Sequence, residues 1–524
     1  MKRQSFIKGS LILMILGFIS RAFGVFFKVP LDYLVGEEGQ GLYYILYPVY
    51  AAFIAMSSVG LTMALSKQIA EYRATKKDSH AWMSFKLAFG LFLGFGLIMT
   101  IVLFAGVNHI ITLLKWPEET YWGLIGLGAA PLIVSIMSAF RGLFQGHENM
   151  VPTGVSMIIE QFARVVFGIG LTWFFMDKYN DIGLAVGGAT FGAAAGGLFA
   201  TIYLVTTFMG YKKHIIVKDI EIGREEKKII LKKLLSMAVP IAMGSAIISV
   251  MGLVDSVMLP AALTELTGDS HDALELIGGY SRANTIMNIP LIISLSISTS
   301  IVPFVAKAWE LKEFDVVHRR IGMGMKMGTL LAFPAAVGIA VLSHDLIGLI
   351  FSSTIGGQVL IPLAFALVFI IYSQIQTNVL NAIGKPVVPV RNMLLGVAVK
   401  VLLNLILVPN PNFGLMGAGY AVITAYMVTT YLNSRSLNKY TGYSFDVKKL
   451  IRKPTLSVFG MWVGLVVTGI VFDSLLPDRI VTLISVSVGA IIYGLLIIKQ
   501  QYLDQAEISQ IPVLQKIENL LVKK

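Results

Sequence analysis

Apolar residues run along this chain in long stretches, and the polar residues between them are gathered into short segments. A helix needs about 20 apolar residues to cross the hydrocarbon core of a bilayer. Fourteen stretches qualify: 6–28, 41–66, 84–107, 122–143, 152–176, 182–209, 234–260, 277–305, 326–350, 358–383, 388–408, 413–434, 455–474 and 479–500. The longest polar connection, 210–233, is too short to fold as a catalytic domain. The pattern predicts an all-α polytopic membrane protein of about fourteen transmembrane helices, with any chemistry placed among them. The first stretch follows Lys2, Arg3 and Lys8 as a signal peptide would, but no small-residue cleavage site comes after it, so it is read as a retained helix.

Composition agrees: 56% of the 524 residues are hydrophobic and 14% charged, against about 25% charged in soluble domains. The absence of cysteine excludes disulfides, thiolate metal sites and cysteine nucleophiles. A net charge of +12 would suggest nucleic acid in a soluble chain, but here the bases sort with topology, so nucleic acid is discounted. Lys67, Arg73, Lys76 and Lys77, the run 212–233, Arg319 with Arg320, and Arg435 to Lys453 all fall on one side. The opposite loops hold Lys115, Lys178 and Arg479, and the acidic loop 261–276. The positive-inside rule then makes both termini cytoplasmic.

Spacing also suggests an internal repeat. Val151-Pro152, Glu160 to Arg164 and Gly183-Leu184-Ala185-Val186-Gly187 are echoed by Val388-Pro389, Lys400 and Gly414-Leu415-Met416-Gly417. Each copy spans six helices, an even number, so the copies lie the same way up. The expected organisation is an N-lobe at 1–210, a basic cytoplasmic linker at 211–233, a pseudo-symmetric C-lobe at 234–440, two appended helices within 441–502, and an amphipathic cytoplasmic tail at 503–524. A substrate path between the lobes follows from that symmetry. Gly188, Gly192 and Gly196 form a small-xxx-small ladder of the kind used in helix packing.

Charges that fall well inside apolar stretches, away from their ends, include six: Arg21, Glu160, Arg164, Asp255, Arg282 and Lys400, with Lys28 and Asp32 near the end of the first. Facing lipid, the six would together cost roughly 15–20 kcal/mol, so they are expected to face one another or water. Glu160 and Arg164 are four apart on a helix and read as a structural ion pair. Arg21, Arg282, Lys400 and Lys28 are expected to bind an anionic substrate. Asp255, with Asn378 and Asn381, is a candidate cation site; pairing of Asp255 with one of the bases is the other reading. No phosphate-binding GxxxxGK[ST] loop and no HExxH metal motif occurs, so neither an ATPase nor a metalloenzyme is expected, and the energy would come from the membrane potential or an ion gradient.

Four stretches carry a family resemblance: Ile19-Ser20-Arg21-Ala22-Phe23-Gly24, Gly36-Glu37-Glu38-Gly39-Gln40-Gly41-Leu42-Tyr43, Arg141-Gly142-Leu143-Phe144-Gln145-Gly146 and Glu160-Gln161-Phe162-Ala163-Arg164. They resemble the MurJ-type lipid II flippases and the stage V sporulation protein B group of polysaccharide exporters, within the multidrug/oligosaccharidyl-lipid/polysaccharide exporter superfamily. The resemblance implies a bacterial plasma-membrane protein that moves undecaprenyl-pyrophosphate-linked saccharide from the inner to the outer leaflet by alternating access. Lipid-linked pyrophosphate and membrane lipids are its implied partners, alongside the cell-wall synthesis machinery. Arg21 falls on the signature arginine of the first helix, and Arg282 falls approximately on a basic residue of the eighth, eight positions before Pro290 where relatives place it about five before. A second arginine of some members is Phe27 here, beside Lys28. The rival reading is a cation-coupled multidrug antiporter of the same superfamily, which calls for acidic residues in the path and usually twelve helices.

Overall fold

The computed structural model describes residues 6–55, 60–215 and 222–502, and all regular structure among them is helical. In chain order the helices are α1 (Phe6–Ile54), α2 (Leu61–Ala74), α3 (Asp78–Leu114), α4 (Thr120–Gly128), α5 (Ala130–Gly146), α6 (Val151–Tyr179), α7 (Ile182–Ile215) and α8 (Arg224–Thr267). They continue with α9 (Ser270–Glu310), α10 (Phe314–Val341), α11 (Ser343–Ile350), α12 (Gly357–Ala382), α13 (Val387–Leu407), α14 (Leu415–Thr441), α15 (Val447–Phe472) and α16 (Asp478–Lys499).

Twelve helices among the described residues are long and apolar enough to cross a membrane, against the fourteen expected. These twelve coincide with the last twelve of the predicted stretches, α4 and α5 together forming one of them. The first two stretches fall in α1 and α2: the first lies before a break in α1, and the second begins after that break and runs across residues 56–59, which are outside the described residues. Residue Gly36 sits inside α1 with φ 63° and ψ −160°, a conformation open to glycine and closed to residues with a Cβ. It breaks α1 into two helical halves, with Glu37 and Glu38 opening the second, where carboxylates favour a helix start. Helix α2 has 14 residues, too few to span on its own.

The chain divides into two compact units, one formed by residues up to 285 with 393–421, the other by 286–392 and the residues from 422 onward. This division differs from the expected lobes at 1–210 and 234–440. Helix α8, the start of α9 and most of α13 belong with α1–α7, because buried side chains tie them there. The expected tail, 503–524, lies outside the described residues.

In the first unit, α6 and α7 pack along the predicted glycine ladder. A Cβ on Gly192 would come within 2.7 Å of the Arg164 carbonyl oxygen, and one on Gly196 would overlap that of Glu160. Close approach here sets the part of α6 that carries both charges. The stretch expected as a linker is helical from Arg224 and is pinned to α2: Gln68 Nε2 donates to the Ile230 carbonyl at 2.9 Å and Lys233 Nζ lies 2.7 Å from Glu71 Oε2. The hydrogen bond to Glu71 holds the Lys233 ammonium above its ordinary pKa.

The second unit has two apolar cores. One gathers Val317, Ile321 and Met325 of α10 against Ile371, Ile375 and Val379 of α12. The other packs Val458, Met461 and Leu465 of α15 with Tyr493 and Ile497 of α16. Many side chains on other faces of these helices, such as Phe459, Ile470 and Leu483, are exposed, as a lipid-facing surface requires.

Candidate functional site

The charges that the sequence places in apolar stretches are nearly all buried in the first unit, in three clusters. The first joins α1 to α9 beside the Gly36 break. Arg282 Nε donates to Asp32 Oδ1 at 2.6 Å and Nη1 to Glu37 Oε1 at 3.2 Å, with Arg282 and Asp32 both fully buried. Ser281 Oγ donates to Gln40 Oε1 at 3.2 Å, and Gln40 Nε2 donates to the Lys28 carbonyl at 2.7 Å. One arginine therefore closes the two sides of the α1 break against α9.

The second cluster is on α5 and α6. Glu160 Oε1 accepts from Arg164 at 3.1 Å, and Glu160 Oε2 accepts from Arg141 at 2.9 Å. Arg141 Nε also donates to Ser156 Oγ at 2.9 Å, and Arg164 donates to the Tyr50 hydroxyl at 2.6 Å. The Glu160–Arg164 pair is thus present, and a second base shares the carboxylate. Arg141, which heads one of the family stretches, was not expected among the paired charges because it lies two residues from the end of an apolar stretch, where an arginine normally reaches the interface.

The third cluster is on α8 and α13. Lys400 Nζ donates to Asp255 Oδ2 at 2.7 Å and to the Met251 carbonyl at 2.6 Å. Asn404 Nδ2 donates to Asp255 Oδ1 at 3.2 Å, and the Tyr280 hydroxyl reaches Asp255 Oδ2 at 3.0 Å. Tyr44 of α1 approaches the same oxygen at 3.4 Å.

These clusters correct two expectations. Arg282 and Lys400, expected to offer free charge to a substrate, are 0% and 2% exposed and held by carboxylates. The expected trio of Asp255, Asn378 and Asn381 is divided between the units: Asp255 in the first holds Lys400, while in the second Asn378 donates to Ser298 at 2.9 Å and Asn381 is exposed near the end of α12. Sequence alone could not choose between these partners, because all lie more than a hundred residues from Asp255.

Arg21 and Lys28 behave differently. Among the described residues neither has an acidic partner. They stand seven apart on the first half of α1, hence on one face and about 10 Å apart along the axis. Arg21 is exposed, and Lys28 is half-buried with its ammonium 5.9 Å from the Tyr47 ring centroid. From Lys28 an aromatic series runs along the second half of α1 through Tyr47 to Tyr50, where the Arg164 guanidinium lies 5.1 Å from the ring. Between the two bases, Gly24 faces Gln161 of α6, whose Oε1 is buried without a hydrogen-bond donor. The three clusters taken together carry no net charge, so the two positive charges left over among these intramembrane groups are those of Arg21 and Lys28. Such a face suits a dianionic group flanked by a ring-stacking and hydrogen-bonding surface.

Known proteins place this chain in a family. A family model described as "Polysaccharide biosynthesis protein" matches residues 6–309, and one described as "MatE" matches 240–406. The chain is similar to stage V sporulation protein B of Bacillus subtilis (strain 168), 27% identical over 529 residues and covering 99% of each chain. It is also similar to the lipid II flippase MurJ of the same organism, 25% identical over 523 residues, 93% of this chain and 94% of that one. Among solved structures, a lipid II flippase MurJ in an inward closed conformation aligns with a TM-score of 0.68 at 16% identity, covering 93% of this chain and 98% of that one; at that identity the likeness is one of fold. The fold is that of the superfamily's membrane transporters, and with more than half of its length matched this chain belongs to the polysaccharide biosynthesis protein family.

Proposed function

We propose that this protein is a flippase for an undecaprenyl-pyrophosphate-linked saccharide, carrying the head group from the inner to the outer leaflet while the polyprenyl tail stays in lipid. The observation that carries this reading is the pair of unpartnered bases, Arg21 and Lys28, on one face of α1 in a unit whose other buried charges neutralise one another. The pyrophosphate would bridge them, with Arg21 offering a bidentate fork and Lys28 a point charge, and Tyr47 and Gln161 would meet the first sugar. The lipid II flippase relative, by its name, supports the same substrate class. The antiporter reading needs a carboxylate free to take a cationic drug, and Asp32, Glu160 and Asp255 each hold a base instead.

In this mechanism Arg282 is a latch. The Asp32–Arg282–Glu37 cluster ties the α1 break to α9 at the end read from loop charge as outer, so it must part when the path opens there. A pyrophosphate with about two negative charges moves outward down an inside-negative potential, gaining roughly 2.3 kcal/mol per charge per 100 mV. The unloaded bases are drawn back by the same field.

The test is flipping of a fluorescent lipid-linked pyrophosphate saccharide by purified protein in proteoliposomes. Arg21→Ala and Lys28→Ala should each reduce the rate at least tenfold without loss of folded protein, and Arg21→Lys should retain part of it. Wild-type flipping by Arg21→Ala would sink the assignment.

A further inference from the structure

The third cluster has the composition of a monovalent-cation site, yet its centre is taken by the chain itself. Hard cations are bound by carboxylate and carbonyl oxygens. Around Lys400 Nζ stand Asp255 Oδ2 and the Met251 carbonyl oxygen, at 2.7 and 2.6 Å. Met251 is one turn before Asp255 on α8, so its carbonyl serves both the helix and the ammonium, using both lone pairs. One turn after Lys400 on α13, Asn404 gives its amide nitrogen to Asp255, while its Oδ1 is buried with no donor at all. A buried amide oxygen left without a donor is costly, so Asn404 is held here by its bond to Asp255, which it keeps in place beside the ammonium. Asp255, Lys400 and Asn404 are 3%, 2% and 1% exposed, so the charge at this point must be met from within the protein.

We propose that Lys400 is a tethered counter-cation that fills an alkali-cation site made by Asp255 and the Met251 carbonyl, with Asn404 holding the Asp255 carboxylate in place, so that the native protein takes up no sodium there. The side chain supplies the charge that a mobile ion would bring. Because the tether cannot leave, the site is loaded in every state and cannot couple to a sodium gradient. The cluster also contacts α1 through the Tyr44 hydroxyl, whose ring packs edge-on against Tyr280 at 5.3 Å. Its occupancy is thereby linked to the half of α1 that follows the Gly36 break. Removing the lysine side chain should vacate the site and create a sodium requirement in a protein that lacked one. The inference rests on this cluster and not on the identity of the transported lipid.

The experiment compares wild type, Lys400→Ala and the double variant Asp255→Asn/Lys400→Ala, purified in detergent. Thermal unfolding in sodium chloride is set against choline chloride at equal ionic strength, and equilibrium binding of radioactive sodium is measured. Wild type should melt at the same temperature in both salts and bind no sodium. Lys400→Ala should show a saturable rise in Tm with sodium and bind one ion per chain. The double variant, which has neither charge, should fold and ignore sodium. A saturable, sodium-specific rise in wild type that Asp255→Asn abolishes would overturn the proposal, since a mobile ion would then use the site. So would a Lys400→Ala protein that binds no sodium, or one that misfolds in sodium and choline alike beside a folded double variant, because sodium then cannot stand in for the ammonium. All of these readouts are independent of flipping, so they stand or fall separately from the function proposed above.

Discussion

The two compact units solve the burial of polar groups differently. In the first, Asp32, Arg141, Glu160, Arg164, Asp255, Arg282 and Lys400 are all buried and ion-paired. In the second, none of the buried polar residues among those described is charged. Its contacts run between neutral groups: Asn392 to Asn433 at 2.9 Å, Gln376 to Ser434 at 2.8 Å and Thr329 with Tyr372 at 2.8 Å. Neutral hydrogen bonds each contribute about 1 kcal/mol and tolerate the loss of one partner better than a buried ion pair does. An ion pair without its partner strands a charge in a medium that cannot solvate it. The difference teaches that charge in the first unit is not there for stability alone, since apolar packing would serve at least as well. It holds α1, α5, α6, α8, α9 and α13 in one arrangement around the two bases that remain unpaired.

The sharpest break of this contrast is Glu160→Ala, which leaves Arg141 and Arg164 buried without a carboxylate. Loss of about 3–5 kcal/mol is expected, read as a lower Tm or failure to purify, with Glu160→Gln milder. If Glu160→Ala is fully stable and only transport is lost, the cluster belongs to the substrate path and not to the scaffold. Arg282→Ala should destabilise on a similar scale by stranding Asp32, and Asp32→Asn combined with Arg282→Gln should recover part of the stability while leaving the outer latch weak. A melting series that finds the double variant no better than the single would refute the pairing as the source of the loss.

Asn433→Ala probes the second unit and should cost only about 1–3 kcal/mol, the penalty for one unsatisfied neutral group. An effect equal to that of Glu160→Ala would erase the distinction between the units. Gly36→Ala should destabilise by about 1–3 kcal/mol through backbone strain alone, because this combination of positive φ and extended ψ is open to glycine only. Smallest of all is Lys233→Ala on the solvated face, below about 1 kcal/mol, and its effect should shrink further in high salt. Chemical denaturation at two ionic strengths would check it.

Hydropathy alone located the later spans well, because an apolar stretch in lipid has no alternative to a helix. Its first two stretches, 6–28 and 41–66, leave a gap in which the Gly36 break of α1 falls, and the residues Gly36-Glu37-Glu38-Gly39 carry the break itself. The Glu160–Arg164 pair was legible because four-residue spacing fixes helical neighbours. Arg141, fifteen or more residues away on another helix, was not.

What the sequence by itself determined is therefore the local and the compositional: a helical membrane protein, its glycine ladder, and the set of charges that lipid would not accept. These depend on periodicity and on the cost of polar groups in hydrocarbon, both properties of short segments. Only the tertiary structure decided which charges neutralise which. Arg282 meets Asp32 across 250 positions and Lys400 meets Asp255 across 145, separations over which sequence spacing carries no geometric information. By pairing those bases and leaving Arg21 and Lys28 unpaired, the fold turned a sum of like-looking charges into one face with positive charge to offer.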